Sequence, residues 1–105
     1  MFKGITPTFI LTLPEDIHLG NAENVIVTFS NSNGRRLLQK ELSDLEIDDN
    51  KVSVFLTQEE TLSFPTGYVH IQINWTYMDE NIIKRACSDI VATYWKSNLL
   101  NGVMA

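Results

Sequence analysis

The feature that most constrains the fold is the stretch of residues 68–77, in which apolar and polar side chains alternate strictly. The apolar series is Val69, Ile71, Ile73, Trp75 and Tyr77, and the residues between are polar or amphipathic. Because successive side chains of an extended strand point to opposite faces, this alternation predicts a strand with one buried face. Such half-buried strands are typical of antiparallel sheets.

The same period of two recurs along the chain and predicts further strands. Asn and Gly residues, which tolerate positive φ, predict a turn over residues 31–34, and residues 78–81 predict another. The predicted strands cover residues 8–13, 23–30, 35–41, a segment around Val52, Val54 and Leu56, residues 68–77, and residues 82–93 as one long strand or a pair.

One short helix is predicted between two of these strands. Thr57 and Glu60 form a capping box, in which each side chain can satisfy a free backbone N–H of the first helical turn. Pro65 and Gly67 end the segment after one or two turns. Residues 96–105 predict another short helix, broken at Gly102.

The number and spacing of these elements predict the fold class. About six or seven short strands, with turns every 8–12 residues, indicate an all-β, antiparallel, immunoglobulin-like β-sandwich with one short helical turn. A length of 105 residues predicts one domain over residues 1–105. Cys87 is the single cysteine, so the chain cannot form the disulfide of antibody domains.

Charge and hydropathy exclude two classes of partner. The chain has 13 acidic and 8 basic residues, and this balance disfavours a nucleic-acid binder, which needs clustered Lys and Arg. No uncharged apolar run approaches the ~18 residues of a membrane helix, and the first residues lack a signal-peptide pattern. We therefore expect synthesis in the cytoplasm, with no nucleic-acid and no membrane partner.

A metal site is the first chemistry that the sequence suggests. Four acidic residues superficially resemble a calcium-binding loop: Asp44, Glu46, Asp48 and Asp49. The EF-hand pattern needs Gly and Glu where this chain has Asp49 and Phe55, so we predict a solvated acidic loop. His18, His70 and Cys87 lack the spacings of a zinc site. No metal or cofactor is expected.

Nucleophilic catalysis is the second chemistry considered. Cys87 with a histidine, or Ser88 with His70 and Asp89, supplies the necessary residue types, but no nucleophile motif surrounds either group. We predict that Cys87 is a small buried residue and that His70 is exposed on the polar face of its strand. The sequence therefore predicts no enzyme. A small hydrolase around His70 remains the third hypothesis.

The end of the chain is unusually apolar, and chain ends are ordinarily polar and frayed. The segment 96–105 either folds back on the sandwich or docks on another chain, and the sequence leaves both open. Docking would make the surface itself the functional site. The residues of this predicted interface, including the N-terminal arm, are Phe2, Ile5, Leu99, Leu100, Val103 and Met104.

A group of aromatic residues suggests an alternative function. Tyr68, Tyr94 and Trp95 are predicted either to form a stacking platform for sugars or to fill and rim the core. If the three residues form a sugar platform, the protein is a carbohydrate-binding β-sandwich module.

Four segments together resemble a known family. They are residues 4–8 (Gly-Ile-Thr-Pro-Thr), residues 56–64 (Leu-Thr-Gln-Glu-Glu-Thr-Leu-Ser-Phe), residues 69–73 and residues 86–90. In this order they resemble small phage and prophage proteins and, more loosely, the immunoglobulin-like N-terminal domains of phage baseplate upper proteins. The resemblance implies a non-enzymatic structural protein of the virion, without catalytic residues, whose partners are itself or other phage structural proteins.

Overall fold

A computed structural model describes residues 1–104 of the protein. Within this range the chain forms eight strands and one α-helix. They are β1 (Thr8–Thr12), β2 (Asn24–Asn31), β3 (Arg36–Glu41), β4 (Leu45–Asp48), β5 (Lys51–Phe55), α1 (Gln58–Leu62), β6 (Gly67–Asp79), β7 (Ile82–Cys87) and β8 (Val91–Trp95). Single 3₁₀ turns occur at Leu19–Asn21 and Leu42–Asp44. Of the helices described, none has the length and apolar character needed to cross a membrane.

The strands form two antiparallel sheets. The smaller sheet has the order β1-β5-β4, and the larger has the order β3-β2-β6, with β7 and β8 both paired to the remaining edge of β6. Residues Gly67 to Ile71 of β6 pair with β8, and Asn74 to Asp79 pair with β7. The prediction of an all-β sandwich is therefore confirmed, with eight strands in place of six or seven.

The hydrophobic core lies between the two sheets, as the alternating sequence predicts. The buried apolar residues include Val25, Val27 and Phe29 of β2, Val52 and Val54 of β5, and Val69, Ile71, Ile73 and Trp75 of β6. A row of rings continues through it, because Phe29 packs 5.8 Å from Phe64, and Phe64 packs 5.1 Å from Trp95, centroid to centroid. Each such side chain contributes about 1.5–3 kcal/mol by leaving water.

Ser88 joins β7 to β8 along the same edge of β6. Its backbone N–H donates to the carbonyl of Ile73 (2.9 Å), and its Oγ accepts the N–H of Ile73 (3.0 Å). One residue thus supplies both hydrogen bonds at the point where the two strands meet. Of the two predictions for residues 82–93, the pair of strands is correct.

Three local predictions were wrong. Residues 44–49 are not simply a loop, because Leu45 and Ile47 of β4 pack against the core while Glu46 and Asp48 stay in water. Cys87 is exposed at the end of β7, not buried. The expected C-terminal helix is absent over residues 96–104, and Ala105 lies outside the described residues.

The last part of β6 extends beyond its neighbour β2. Asn24, where β2 begins, pairs with Thr76, so the residues of β6 that follow pair only with β7. We call residues 77–84 the hairpin arm. Its two-residue turn places Glu80 (φ 50°) and Asn81 (φ 65°) in the left-handed region, which defines a type I′ turn. The exposed apolar side chains of the arm are Tyr77, Met78, Ile82 and Ile83.

This turn provides a stability prediction. Asn tolerates the left-handed conformation better than Glu, so Glu80→Asn should raise the free energy of unfolding by about 0.5–1 kcal/mol, measured by urea denaturation. The control Glu80→Gln removes the charge without relieving the backbone and should leave stability unchanged. An equal gain in both variants would assign the effect to charge.

Candidate interaction surface

The N-terminal arm pairs with the chain just after β8. Phe2 lies opposite Lys96 in a short parallel bridge. The N–H of Lys3 donates to the carbonyl of Lys96 (2.9 Å), and the N–H of Lys96 donates to the carbonyl of Met1 (2.7 Å). The Lys96 ammonium also lies 5.9 Å from the centre of the Phe2 ring, within range of a cation–π contact. These contacts fix the arm beside the beginning of the C-terminal segment.

The hydroxyl of Thr61 fixes the arm to α1. Thr61 is fully buried, and its Oγ1 accepts the N–H of Gly4 (3.0 Å) and donates to the carbonyl of Ile5 (2.8 Å). Gly4 has a φ of 88°, and a Cβ at this position would lie 3.3 Å from Cδ2 of Leu62. A glycine is therefore required where the arm passes over the helix.

The capping box that the sequence predicts holds the start of α1. The N–H of Glu60 donates to Oγ1 of Thr57 (3.2 Å), and the N–H of Thr57 donates to Oε1 of Glu60 (2.9 Å). Lys40 of β3 forms an ion pair with Oε2 of Glu60 (2.7 Å). Burial alone would raise the pKa of the Glu60 carboxyl, but hydrogen bonds from Lys40 and Thr57 outweigh it and hold that pKa below its ordinary value.

The C-terminal segment folds back on its own sandwich through polar atoms. Nδ2 of Asn98 donates to the carbonyl of Lys3 (3.0 Å). The side-chain amide of Gln58 binds Met104 twice, because its Oε1 accepts the Met104 N–H (2.8 Å) and its Nε2 donates to the Met104 carbonyl (3.0 Å). Gln58 thus makes both bonds that a neighbouring strand would make.

These contacts bring the six residues of the predicted interface to one end of the sandwich. All are exposed: Phe2 (52%), Ile5 (39%), Leu99 (105%), Leu100 (55%), Val103 (55%) and Met104 (64%). Isolated exposed apolar residues are normal, but a group of them gathered at one place is a candidate interaction surface. We call these six residues the terminal surface. The segment folds back through its polar atoms and leaves its apolar side chains outside.

Of the two interpretations of Tyr68, Tyr94 and Trp95, the one that places them in the core is correct for Trp95. Trp95 is fully buried against Phe64, and its Nε1 donates to Oγ1 of Thr93 (2.9 Å), so it cannot stack on a ligand. Tyr68 and Tyr94 are exposed, with ring centroids 5.0 Å apart and planes at 80°. They pack edge to face and do not form one flat platform.

The residues considered for catalysis have other partners. Oγ of Ser88 accepts a backbone N–H and donates to the carbonyl of Asp89 (2.9 Å). His70 is half-buried on β6, not exposed as predicted. His18 contacts Asp49 (2.6 Å), a hydrogen bond and opposite charge that raise the pKa of the imidazole. Among residues 1–104 no three His, Cys, Asp or Glu side chains are placed to hold a metal ion.

Two apolar features were missed from the sequence. One is the hairpin arm, whose signal is the pair Ile82 and Ile83 directly after a turn. Consecutive strand residues face opposite sides, so one sheet cannot bury both. The other is a groove of about 550 Å³ between β1 and β7–β8, with Ile71, Ile73 and Trp75 among its lining residues. These three belong to the core, so the groove borders the core between the two sheets.

Removing the Thr61 hydroxyl should destabilise the protein. Thr61→Val keeps the shape of the side chain but leaves the Gly4 N–H and the Ile5 carbonyl without their partner, and we expect a loss of about 1–3 kcal/mol in urea denaturation. Thr61→Ser keeps the hydroxyl and serves as the control. A Thr61→Val variant as stable as the natural chain would contradict this role of the hydroxyl, and any loss in Thr61→Ser measures the separate contribution of the methyl group.

The ion pair of Glu60 makes stability depend on pH. Because the pKa of Glu60 is lower in the folded than in the unfolded chain, its contribution is fully present above the unfolded value of about 4.5. It is lost as the pH falls through the folded value. Denaturation curves collected across this range should show a smaller acid loss in Glu60→Gln than in the natural chain. Identical pH profiles would contradict the assignment.

Comparison with known proteins gives no match. No family model, no curated protein and no solved structure matches the chain. The terminal surface is built from the N-terminal arm and the C-terminal segment. Hydrogen bonds of Thr61, Asn98 and Gln58 hold these two segments in place, and the apolar side chains of the segments face outward.

Proposed function

We propose that the protein is a non-enzymatic structural protein of a phage virion that assembles through its terminal surface. The observation that carries the proposal is the outward placement of six apolar side chains on segments whose backbone is held from within. Its partners are further copies of itself or other phage structural proteins.

The first support is energetic. An apolar group in water gains about 25 cal/mol for each Å² that a partner covers. Association also orders flexible segments, which opposes binding. Hydrogen bonds of Gln58, Thr61 and Asn98 already hold the N-terminal arm and the C-terminal segment in place. Less of this ordering therefore remains for the binding step.

The second support is the composition of the surrounding surface. Lys3, Lys96 and Asn98 lie beside the apolar side chains and contact the same two segments. Protein interfaces commonly have an apolar centre and a polar rim, and these three residues supply polar groups for such a rim.

The viral setting is supported by the resemblance in residues 4–8 and 56–64. Both segments form the base of the terminal surface, because the first contains Gly4 and Ile5 and the second contains Gln58 and Thr61. Two of the four segments that carry the resemblance thus contain residues that position the proposed interface.

Particle incorporation tests this proposal. A chain truncated after Ser97 should fold, as judged by circular dichroism, but should be lost from density-banded particles of the encoding phage when their proteins are measured by mass spectrometry. The control Ile10→Thr changes an apolar residue that is also exposed (65%) but lies on β1, and it should be incorporated normally. Normal incorporation of the truncated chain would refute the proposal.

A second candidate function is a carbohydrate-binding module in which the exposed rings of Tyr68 and Tyr94 each stack on a sugar separately, since they do not form one platform. A glycan array with the natural chain should then show a bound sugar, and the double variant Tyr68→Ala, Tyr94→Ala should lose it. An array without a bound sugar would remove this candidate.

A further inference from the structure

We propose that the terminal surface of one copy binds the hairpin arm of a second copy, so that copies join head to tail. This inference rests on the proposed function, since it names the partner of the same surface. The arm is residues 77–84, and the terminal surface keeps its six residues.

The hairpin arm exposes several apolar side chains to solvent. Tyr77, Met78, Ile82 and Ile83 are exposed by 37%, 46%, 60% and 66%. Met78 pairs with Ile83, and their neighbours in sequence face the other side of the ribbon. Two-stranded ribbons are marginally stable alone, so a partner that covers the arm would also stabilise it.

The two surfaces lie at opposite ends of the molecule. β6 begins at Gly67, which pairs with Trp95, directly before Lys96 of the terminal region, and it ends in the arm. The long dimension of the molecule is 53 Å. An arm therefore cannot reach the terminal surface of its own chain without unfolding, and contact between them requires a second copy.

The charges at the two ends are complementary. Four basic residues lie near the start of β6, while α1 contributes Glu59 and Glu60, of which Glu60 forms an ion pair with Lys40. The four are Lys3, Arg35, Arg36 and Lys96. Arg35 and Arg36 belong to this end because Asn31, just before their turn, pairs with Val69.

The opposite end is acidic. Glu80 occupies the turn of the arm, and the N–H of Glu23 donates to the carbonyl of Thr76 beside it. Asp16 lines the same concavity as Tyr77 and Met78. Asp49 and Asp79 are paired with His18 and Lys84. Lys51, beside Asp48, and Arg85, which pairs with Thr76, are basic residues of the same end and are outnumbered by its acidic residues. In the proposed contact, the apolar arm with Glu80 at its turn meets an apolar surface that has Lys3 and Lys96 beside it, an arrangement that favours one orientation of approach.

A head-to-tail contact uses two different surfaces of each copy. It therefore leaves one free surface at each end of a growing chain and produces a ring or a filament. In a symmetric dimer, by contrast, each copy uses the same surface. The use of two different surfaces therefore gives a test that distinguishes the head-to-tail contact from a symmetric dimer.

Two half-blocked variants provide the test. Ile82→Thr with Ile83→Thr removes the arm contact, and Leu99→Ser with Leu100→Ser removes the terminal contact. By light scattering after gel filtration, each variant alone should have the mass of one chain, while the natural chain forms larger species as its concentration rises. A mixture of the two should form a complex of two chains and nothing larger, because one functional surface of each kind remains.

Charge reversal tests the orientation. Glu80→Lys and Lys96→Glu should each weaken self-association two- to fivefold at low salt, the range expected for an exposed charge pair. Their mixture should recover part of the loss, since the reversed charges then face each other, and high salt should reduce all of these differences. Circular dichroism melts of every variant confirm that the chains are folded.

Three results would overturn the inference: a natural chain that keeps the mass of one chain at about 1 mM, an arm variant that still associates like the natural chain, or a mixture without a two-chain complex. The proposed function has a separate readout. If the arm variant enters particles normally while the truncated chain does not, the terminal surface has another partner and only the head-to-tail inference fails. If the truncated chain enters particles normally, the proposed function fails.

Discussion

The rest of the structure depends on the pairing of β6 along both of its edges. One edge binds β2, and the other binds β8 and then β7, with Ser88 completing the ladder between them. The buried face of β6 supplies four core side chains, while its length of 13 residues carries the chain past the sandwich. The same strand therefore builds the core and projects the hairpin arm.

At the other end of the molecule, hydrogen bonds to polar groups of α1 position both terminal segments. A buried hydroxyl or backbone group without a hydrogen bond is costly, and Thr61 avoids this cost by binding Gly4 and Ile5. Gln58, one turn earlier on α1, binds Met104. A helix of five residues thus holds two segments that are far apart in sequence, and it owes its start to the Thr57 and Glu60 capping box.

Period and local capping made most of the fold predictable from the sequence. The alternation of β2 and β6, the turn at residues 31–34 and the capping box were all read correctly, because each is determined by near neighbours. β4 was missed because its acidic residues hid the alternation of Leu45 and Ile47. The burial of Trp95, the exposure of Cys87 and the hydrogen bonds of Met104 depend on partners distant in sequence, which a local pattern cannot specify.

The candidate site, like the fold, was predictable from the sequence only where near neighbours determine it. The residues of the terminal surface could be chosen from the sequence because apolar side chains are unusual near a chain end. Their assembly into one surface could not, since it requires Lys3 to meet both Lys96 and Asn98. A net charge of −5 makes free copies repel one another as a whole, yet the charges are unevenly placed along the long axis. In the proposed assembly, this general repulsion and the opposite charges of the two ends disfavour most orientations of contact and favour the one in which the apolar surfaces meet.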